Sequence, residues 1–336
     1  MTTTKKLINL HMELMTTDFF NKKLISAIEH KVPFSFIRLG DGEGALLNLN
    51  DDSTFFDIKY LSEHFGLDCK INEALEVKTI LQEALCTSDI VGVRSDVVNV
   101  SFPSSNIENT EKFMNDFKQS FRLRNVDKNL CYADARRIAM LHKSVSDIKF
   151  SKQTEFVCAS VGWDSYPSGA LPYILAKQKK IGIISSRVGL DKVMSKALGI
   201  EIIQYKIPDK FELVKNYNIR HYPTIFNKII EEIKVEFPGM VFIVAGGLVG
   251  KGYCQVIKSK GGIALDLGAV VDAWIGKLSR PSPLKERYDL KKSWTIKMRR
   301  KVIPTFHKTF DLPDELIMTK ENIQLLETRW LENHSD

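Results

Sequence analysis

The stretch after the first predicted strand carries two carboxylates between three glycines. Residues 34–47 read FSFIRLGDGEGALL, so Asp41 and Glu43 follow an apolar run that contains Arg38. Hard carboxylate oxygens are the ligands that Mg²⁺ and Mn²⁺ prefer, and these ions keep positions for substrate phosphates. The pattern predicts a metal site at Asp41 and Glu43, with Arg38 directed at the same anion. The alternative is a glycine-rich turn whose acids are simply solvated. The flanking glycines would let the backbone turn tightly against a ligand, which adds two binding candidates: Gly40 and Gly42.

A second candidate site follows the predicted strand at 180–185. Ser185, Ser186 and Arg187 end this strand, and Gly189 opens an amphipathic helix. Hydroxyl groups, backbone N–H groups and a guanidinium at a helix N-terminus can hold a phosphate. The pattern predicts a phosphate cradle, and the alternative is an ordinary helix cap at Ser186 with a surface arginine.

A third candidate site lies in residues 242–262, FIVAGGLVGKGYCQVIKSKGG. The segment invites comparison with a phosphate-binding P-loop, but Gly252 stands where that motif needs Ser or Thr, and GxGxxG spacing is also missing. ATP hydrolysis and a standard dinucleotide site are therefore disfavoured. Gly246, Gly247 and Lys251 are predicted to accept a nucleotide. The alternative is close packing of helix on strand, which also demands glycine.

A fourth candidate site follows the last predicted strand. Asp266 lies in that strand and Asp272 just beyond it. Asp272 is predicted to orient a sugar hydroxyl or to act as a general base, and the alternative is a helix cap. Lesser candidates lie in two other loops: Arg94, Asp96, Asp164, and the aromatic residues Trp163 and Tyr166.

The elements that must position these residues alternate along the chain. Seven short, β-branched apolar runs predict strands at 34–39, 89–94, 154–160, 180–185, 200–207, 240–246 and 262–268. Helical periodicity separates them at 71–86, 133–143, 169–179, 189–198, 222–235 and 248–259. This alternation predicts an α/β fold: a mostly parallel, Rossmann-like sheet with helices on both faces. Ligands bind such sheets at the carboxyl ends of the strands, where the candidate sites lie.

The charge of the 336-residue chain is unevenly placed. The net charge is +7, and residues 277–308 alone hold eleven Lys or Arg against two acids. Such a segment predicts an anionic partner: phospholipid headgroups of a membrane surface, an acidic glycan or nucleic acid; the alternative is a solvated basic tail. No nucleic-acid-binding motif is present, so no nucleic acid is expected. We divide the chain into a catalytic unit at 1–276 and a basic C-terminal extension at 277–336, with a terminal helix near 314–331.

The cysteine content and the lack of long apolar runs predict a cytoplasmic protein. The five cysteines are scattered without a CxxC pair, which predicts reduced thiols rather than disulfides or zinc. No apolar run approaches the roughly 20 residues that span a bilayer, and no secretion signal is recognisable. We therefore expect a cytoplasmic protein, held at the inner face of the plasma membrane where its basic segment binds lipid.

The candidate motifs together carry a family likeness. IRLGDGEG, VGVRSD, SSRVGLDKVMSKALG and VAGGLVGKGYCQVIKSKGGIALDLGAVVDAW follow one another in this order. The series resembles the GT-D-type glycosyltransferases of bacteria, which carry an Arg-hydrophobic-Gly-Asp-Gly-Glu signature with a DxE metal motif. The likeness covers roughly residues 20–276 and implies a GT-D-like fold. This chain departs from the family at Gly246-Gly247, where Gly-Pro or Gly-Ala is more usual.

The resemblance implies a metal-dependent glycosyltransferase of surface polysaccharide or glycoprotein synthesis. The donor would be a UDP-sugar and the acceptor a glycan, a lipid-linked glycan or a glycoprotein. Asp41 and Glu43 would hold Mn²⁺ or Mg²⁺, and the loops at 185–189 and 246–251 would contact the donor. Asp272 is our candidate for the base that deprotonates the acceptor hydroxyl. Two alternatives remain: another nucleotide-dependent transferase such as a methyltransferase, and a non-catalytic binder of nucleotide sugars or glycans.

Overall fold

The structure is a computed structural model of the whole chain. It describes residues 7–9, 12–50, 61–94, 97–98, 101–103, 132–165, 170–216 and 218–274. The basic segment at 277–308 and the predicted terminal helix lie outside these residues, as do Asp96 and Tyr166. The division of the chain at residue 276 stays a prediction.

The strands of the described residues form two sheets. The larger sheet has seven strands, all parallel, in the order β5-β3-β2-β9-β8-β6-β7, and the smaller pairs β1 with β4 antiparallel. The strands are β1 (Leu7–Asn9), β2 (Phe34–Arg38), β3 (Ile90–Val93), β4 (Ser101–Pro103), β5 (Glu155–Cys158), β6 (Lys180–Ser185), β7 (Glu201–Lys206), β8 (Val241–Ala245) and β9 (Ile263–Asp266). All seven predicted strands are therefore confirmed, and they are the seven strands of the parallel sheet.

The helices fill the connections between the strands. They are α1 (Thr17–Glu29), α2 (Asp41–Leu47), α3 (Ile71–Thr87), α4 (Tyr132–Asp147), α5 (Val161–Ser165), α6 (Ala170–Ala176), α7 (Leu190–Leu198), α8 (Lys210–Lys215), a π-helical turn (His221–Ile225), α9 (Phe226–Glu232), α10 (Gly250–Ser259) and α11 (Val270–Trp274). The six predicted helices are confirmed, whereas α1 and α2 were not among the predicted helices. Within the described ranges, no helix has the length and apolar character needed to cross a bilayer.

Helices cover both faces of the parallel sheet, as predicted. Side chains of a strand point alternately to its two faces, so each strand feeds two hydrophobic clusters. In β9, Ile263 and Leu265 join one cluster and Ala264 joins the other. The strands buried on both faces explain the nearly continuous apolar runs of the sequence. The fold class predicted from the alternation of elements is confirmed.

The connections that follow β2 and β9, which are neighbours in the sheet, leave on opposite faces. After β2, helix α2 packs through Leu46 and Leu47 into the cluster that contains Ala264. After β9, helix α11 packs through Val270 and Val271 into the cluster that contains Ile263 and Leu265. Open α/β sheets bind ligands in the crevice that such an arrangement forms at the carboxyl ends of the strands, so we expect the ligand crevice of this protein there.

The glycine-rich stretch after β2 is the start of a helix, which corrects the expected loop. Helix α2 begins at Asp41, with Gly40 as its N-cap in an extended conformation. Glu43 Oε2 accepts a hydrogen bond from the Gly40 N–H at 2.7 Å. A Cβ atom at Gly44 would lie 2.6 Å from the backbone nitrogen of Leu141 in α4. Gly44 therefore serves close packing of two helices rather than close approach to a ligand.

Candidate active site

A buried lysine joins three of the predicted motifs. Lys251, in the first turn of α10, places its Nζ 2.5 Å from Glu43 Oε1 and 3.1 Å from Asp266 Oδ2. The same ammonium donates to the carbonyl oxygen of Gly247 at 2.9 Å. Only 3% of Lys251 is exposed. Motifs more than 200 residues apart in the chain therefore meet at one point at the carboxyl end of the sheet.

Arg38 completes this group from the end of β2. Its Nε donates to the Asp266 carbonyl oxygen at 2.9 Å, and its backbone N–H donates to Asp266 Oδ2 at 3.1 Å. A Cβ atom at Gly268 would fall 1.8 Å from Arg38 Nη2, so any other residue there would displace the guanidinium. We call Arg38, Glu43, Lys251 and Asp266 the inner cluster. Its two cations and two anions balance.

The charged state of Lys251 is secured by these neighbours. Burial by itself would lower the pKa of a lysine, because it penalises the ammonium form. Asp266 and Glu43 outweigh this effect, although Arg38 opposes them, and the pKa of Lys251 is raised above its ordinary value. Lys251 is therefore an ammonium ion throughout the physiological range.

Asp41 lies outside the inner cluster. Its carboxylate is 36% exposed, and Oδ2 lies 3.4 Å from Nε of Arg137. Arg137, in α4, was not among the predicted site residues. The position of Arg137 depends on the packing of α4 against α2 through Gly44 and Leu141. No sequence motif predicts this packing. A partly exposed carboxylate and a largely buried arginine therefore face each other beside the inner cluster.

A second charged group surrounds Arg187 at the end of β6. Arg187 Nε donates to Asp272 Oδ1 at 2.5 Å, and Nη1 donates to Asp209 Oδ2. We call these three residues the Arg187 cluster, and its charges sum to −1. Burial would lower the pKa of Arg187, but the two carboxylates outweigh burial and raise it above its ordinary value.

The residues of the predicted phosphate cradle are found together, but much of their bonding capacity is used internally. Ser185 Oγ accepts from the Arg187 backbone N–H at 3.1 Å, and Ser186 Oγ lies 3.5 Å from Asp209 Oδ2. Gly189 caps α7 with φ 79°, a left-handed conformation that favours glycine. A phosphate at Arg187 would have to compete with two carboxylates. The cradle stays a prediction.

The predicted base, Asp272, is one of these two carboxylates. It is 5% exposed, and its Oδ1 accepts from Arg187 Nε. Asp209 was not among the predicted site residues, although it lies three residues beyond the end of β7. A search at every strand end for carboxylates would have found it.

The glycines after β8 favour the packing alternative. A Cβ atom at Gly246 would lie 2.8 Å from the Cα atom of Gly250 in α10, so glycine permits close contact of helix and strand. Gly247 has φ 59° and turns its carbonyl oxygen to Lys251. His64 lies on the other side of Gly247, with Nδ1 3.7 Å from the position of a Cβ there. Burial, followed by the charge of Lys210, lowers the pKa of His64 to about 4.

The remaining lesser candidates lie at the end of β3 and in α5. Arg94 directly follows β3, and Trp163 and Asp164 lie in α5. Their roles stay predictions.

The carboxylate pair Asp41 and Glu43 fits a metal only in part. Both oxygens of Glu43 are engaged, one by Lys251 and one by the Gly40 N–H. Residues two apart on a helix also point in different directions. Asp41, exposed and hard in its chemistry, suits a dication. Within the described residues, no group of three or more His, Cys, Asp or Glu side chains could hold a metal ion.

Comparisons with known proteins find likeness in structure alone. No family model matches the chain, and no curated protein matches it. One similar solved structure is described as a domain of unknown function 1792; it has 16% identity and a TM-score of 0.45, covering 77% of this chain and 84% of that one. A second, described as a domain of unknown function 1792 with a distinct glycosyltransferase fold, has 16% identity and a TM-score of 0.46, covering 80% and 81%.

A third similar structure is described as a new glycosyltransferase from Streptococcus sanguinis. It has 15% identity and a TM-score of 0.46, covering 79% of this chain and 84% of that one. Likeness at this level assigns no activity to this chain, so the residues of the site have to support any function.

Proposed function

We propose that this protein is a glycosyltransferase that moves a sugar from a UDP-sugar to the hydroxyl group of a glycan or glycoconjugate. One observation carries the proposal. The two most specific motifs of the predicted resemblance, around Arg38–Glu43 and Gly246–Asp266, meet through Lys251 in the inner cluster. They meet at the carboxyl ends of β2 and β9, whose following helices lie on opposite faces of the sheet, and open α/β folds bind ligands at such a position.

The crevice offers positive charge to a donor diphosphate. The side chain of Arg38 is 22% exposed, and that of Arg137, which lies beside Asp41, is 14% exposed. Fixed cations around a departing diphosphate stabilise the negative charge that develops in the transition state. We assign this task to Arg38 and Arg137.

The transfer itself breaks one bond and forms another. The oxygen of the acceptor hydroxyl attacks the anomeric carbon, the bond from that carbon to the phosphate oxygen breaks, and UDP leaves with the electron pair. The proton of the hydroxyl passes to a carboxylate acting as base. Asp272 remains our predicted base, with Asp209 as its neighbour on Arg187.

A dication remains part of the proposal without a step assigned to it. As a two-carboxylate metal site, Asp41 and Glu43 do not fit the observed geometry, because Glu43 is bound to an ammonium. Asp41 is the member of the pair that could contact Mn²⁺ or Mg²⁺ from the crevice. Such an ion would supply charge that offsets a diphosphate.

The acceptor and the cellular position are proposed from the sequence. The basic residues of 277–308 would hold the enzyme at an anionic membrane surface, where lipid-linked glycans are found. A glycoprotein or a free glycan is the other acceptor class. We propose a cytoplasmic enzyme that associates with the inner face of the plasma membrane.

A thermal-shift screen tests the donor. Purified protein is heated with UDP-sugars, with UDP and with S-adenosylmethionine, each with and without Mn²⁺. A ligand at 100 times its dissociation constant stabilises a protein by about 2.7 kcal/mol. We expect a shift with UDP-sugars and none with S-adenosylmethionine. Release of UDP in the presence of glycan acceptors then measures turnover.

A matched pair of variants locates the donor. Arg137→Met should reduce the shift caused by UDP-sugars, whereas Lys192→Met, which removes an exposed cation from α7, should leave it unchanged. A shift with S-adenosylmethionine alone would indicate a methyltransferase. A shift with UDP-sugars but no turnover on any acceptor would indicate a binding protein.

A further inference from the structure

Lys251 has the surroundings of a bound cation. An ammonium group has three N–H donors, and each has an oxygen acceptor here: Glu43 at 2.5 Å, Gly247 at 2.9 Å and Asp266 at 3.1 Å. Two of these oxygens are carboxylates and one is a backbone carbonyl, the ligand types that hard cations prefer. Lys251 is 3% exposed, so water does not compete for these positions.

Glu43 is bound on both sides. Oε1 faces Lys251 and Oε2 faces the N–H of Gly40, and the residue is 8% exposed. A dication at Glu43 would have to lie beside the ammonium of Lys251, and like charges in a buried site repel strongly. Glu43, which the sequence predicts as a metal ligand, is therefore already paired with the ammonium of Lys251.

We propose that the ammonium of Lys251 is the resident cation of a three-oxygen site formed by Glu43, Asp266 and Gly247, and that it takes the place of a dication at Glu43. The inference deepens the proposed function, and it rests on that function for the role of this site in the reaction. It reassigns Lys251 from direct phosphate contact to fixing the strand ends. It also leaves Asp41 as the only carboxylate of the pair that can face a ligand.

Vacating the site provides the test. Lys251→Ala removes the ammonium and leaves the carboxylates of Glu43 and Asp266 facing an opening beside the carbonyl of Gly247. Calcium binds oxygens at about 2.3–2.6 Å, so the oxygens of Gly247 and Asp266, now 2.9 and 3.1 Å from the ammonium, would have to close on the ion by a few tenths of an ångström. Ca²⁺ and Mn²⁺ at millimolar concentration should therefore raise the melting temperature of Lys251→Ala by several degrees more than that of the wild-type chain.

The double variant Glu43→Gln/Lys251→Ala is the matched control. It keeps the opening but loses one carboxylate, so the extra shift caused by either metal should disappear. A purely structural lysine would give no metal rescue in either variant, and that result would overturn the proposal. If Lys251→Ala does not fold in isolation, refolding yield with and without Ca²⁺ is measured instead, and no difference in yield would likewise overturn it.

A second measurement asks whether Glu43 binds a metal directly. Free Mn²⁺ is followed by its paramagnetic resonance signal in the presence of UDP, for the wild-type chain and for Glu43→Gln. We expect the two proteins to bind Mn²⁺ equally, within about threefold. Loss of Mn²⁺ binding in Glu43→Gln by tenfold or more would contradict the proposal.

The two proposals fail in different ways. The metal rescue of Lys251→Ala needs no nucleotide, so it holds or fails whether or not the protein uses a UDP-sugar. Absence of UDP-sugar binding would remove the proposed function and leave the resident cation in place.

Discussion

The inner cluster and the Arg187 cluster lie at the same end of the sheet but differ in charge balance and in the exposure of their carboxylates. In the inner cluster two cations meet two anions, and the side chains of Glu43 and Asp266 are 10% and 2% exposed. In the Arg187 cluster one cation meets two anions, and the side chains of Asp272 and Asp209 are 7% and 20% exposed. A buried charge depends on its ion pair, whereas water can stabilise a partly exposed charge. We therefore expect the ion pairs of the inner cluster to contribute more to stability than those of the Arg187 cluster.

The largest effect is expected from Asp266→Asn in the inner cluster. The change removes the carboxylate that both Arg38 and Lys251 contact and keeps the shape of the side chain. Removal of one partner from a buried ion pair destabilises a protein by about 3–5 kcal/mol. Unfolding in urea, followed by circular dichroism, measures the loss. The control is Glu232→Gln, in an exposed pair with Lys228, where the change should be below about 0.5 kcal/mol.

The next largest effect is expected from acid, which should lower the free energy of unfolding through the two buried histidines His64 and His221. Burial, with a smaller effect of His64, lowers the pKa of His221 to about 3, and burial with Lys210 lowers that of His64 to about 4. The unfolded chain binds these protons near pH 6.5, but the folded chain does not. Stability is therefore complete above pH 6.5 and is lost as the pH falls, by up to about 1.4 kcal/mol per pH unit for each histidine.

Urea unfolding at pH 7 and pH 5 checks this loss. His221→Gln keeps a hydrogen-bonding group for the Tyr253 hydroxyl, which lies 3.0 Å from His221 Nε2, and removes one titrating group. We expect a smaller loss of stability between the two pH values in this variant. An unchanged pH dependence would show that His221 takes up its proton in the folded state.

Asp209→Asn repeats the first substitution in the Arg187 cluster. It leaves Arg187 with Asp272, a balanced pair, and removes a side chain that is already partly solvated. We expect a change of at most about 1 kcal/mol in the free energy of unfolding. A loss as large as that of Asp266→Asn would erase the distinction between the clusters.

The elements of the fold were predictable because strand signals depend on local sequence. Each of the seven parallel strands is a β-branched apolar run, so its position follows from residues within it. The partners of Lys251 were not predictable, because the order of strands in the sheet brings Glu43 and Asp266 to it. Its motif suggested a phosphate contact, and the ion pairs that the structure adds come from long-range packing.

The same limit explains the glycines. Gly44 is one of the three glycines that were expected to let the backbone turn tightly against a ligand. In the structure it makes room for Leu141 of α4, more than 90 residues away in the sequence. Glycine is required for a turn and for close packing alike. Only the packed structure separates the two uses.

The smallest effect on stability is expected from Asp41→Asn. Asp41 is 36% exposed, and its pair with Arg137 is long at 3.4 Å, so its loss should change stability by less than about 0.5 kcal/mol. Glu43→Gln, in the same turn of α2, breaks a buried pair and should destabilise the protein far more. For ligand binding the order reverses: calorimetry with UDP and Mn²⁺ should show weaker binding for Asp41→Asn and little change for Glu43→Gln. The pair therefore separates the carboxylate that holds the fold from the one that meets the ligand, and equal stability losses would mean that Glu43 is not bound to Lys251.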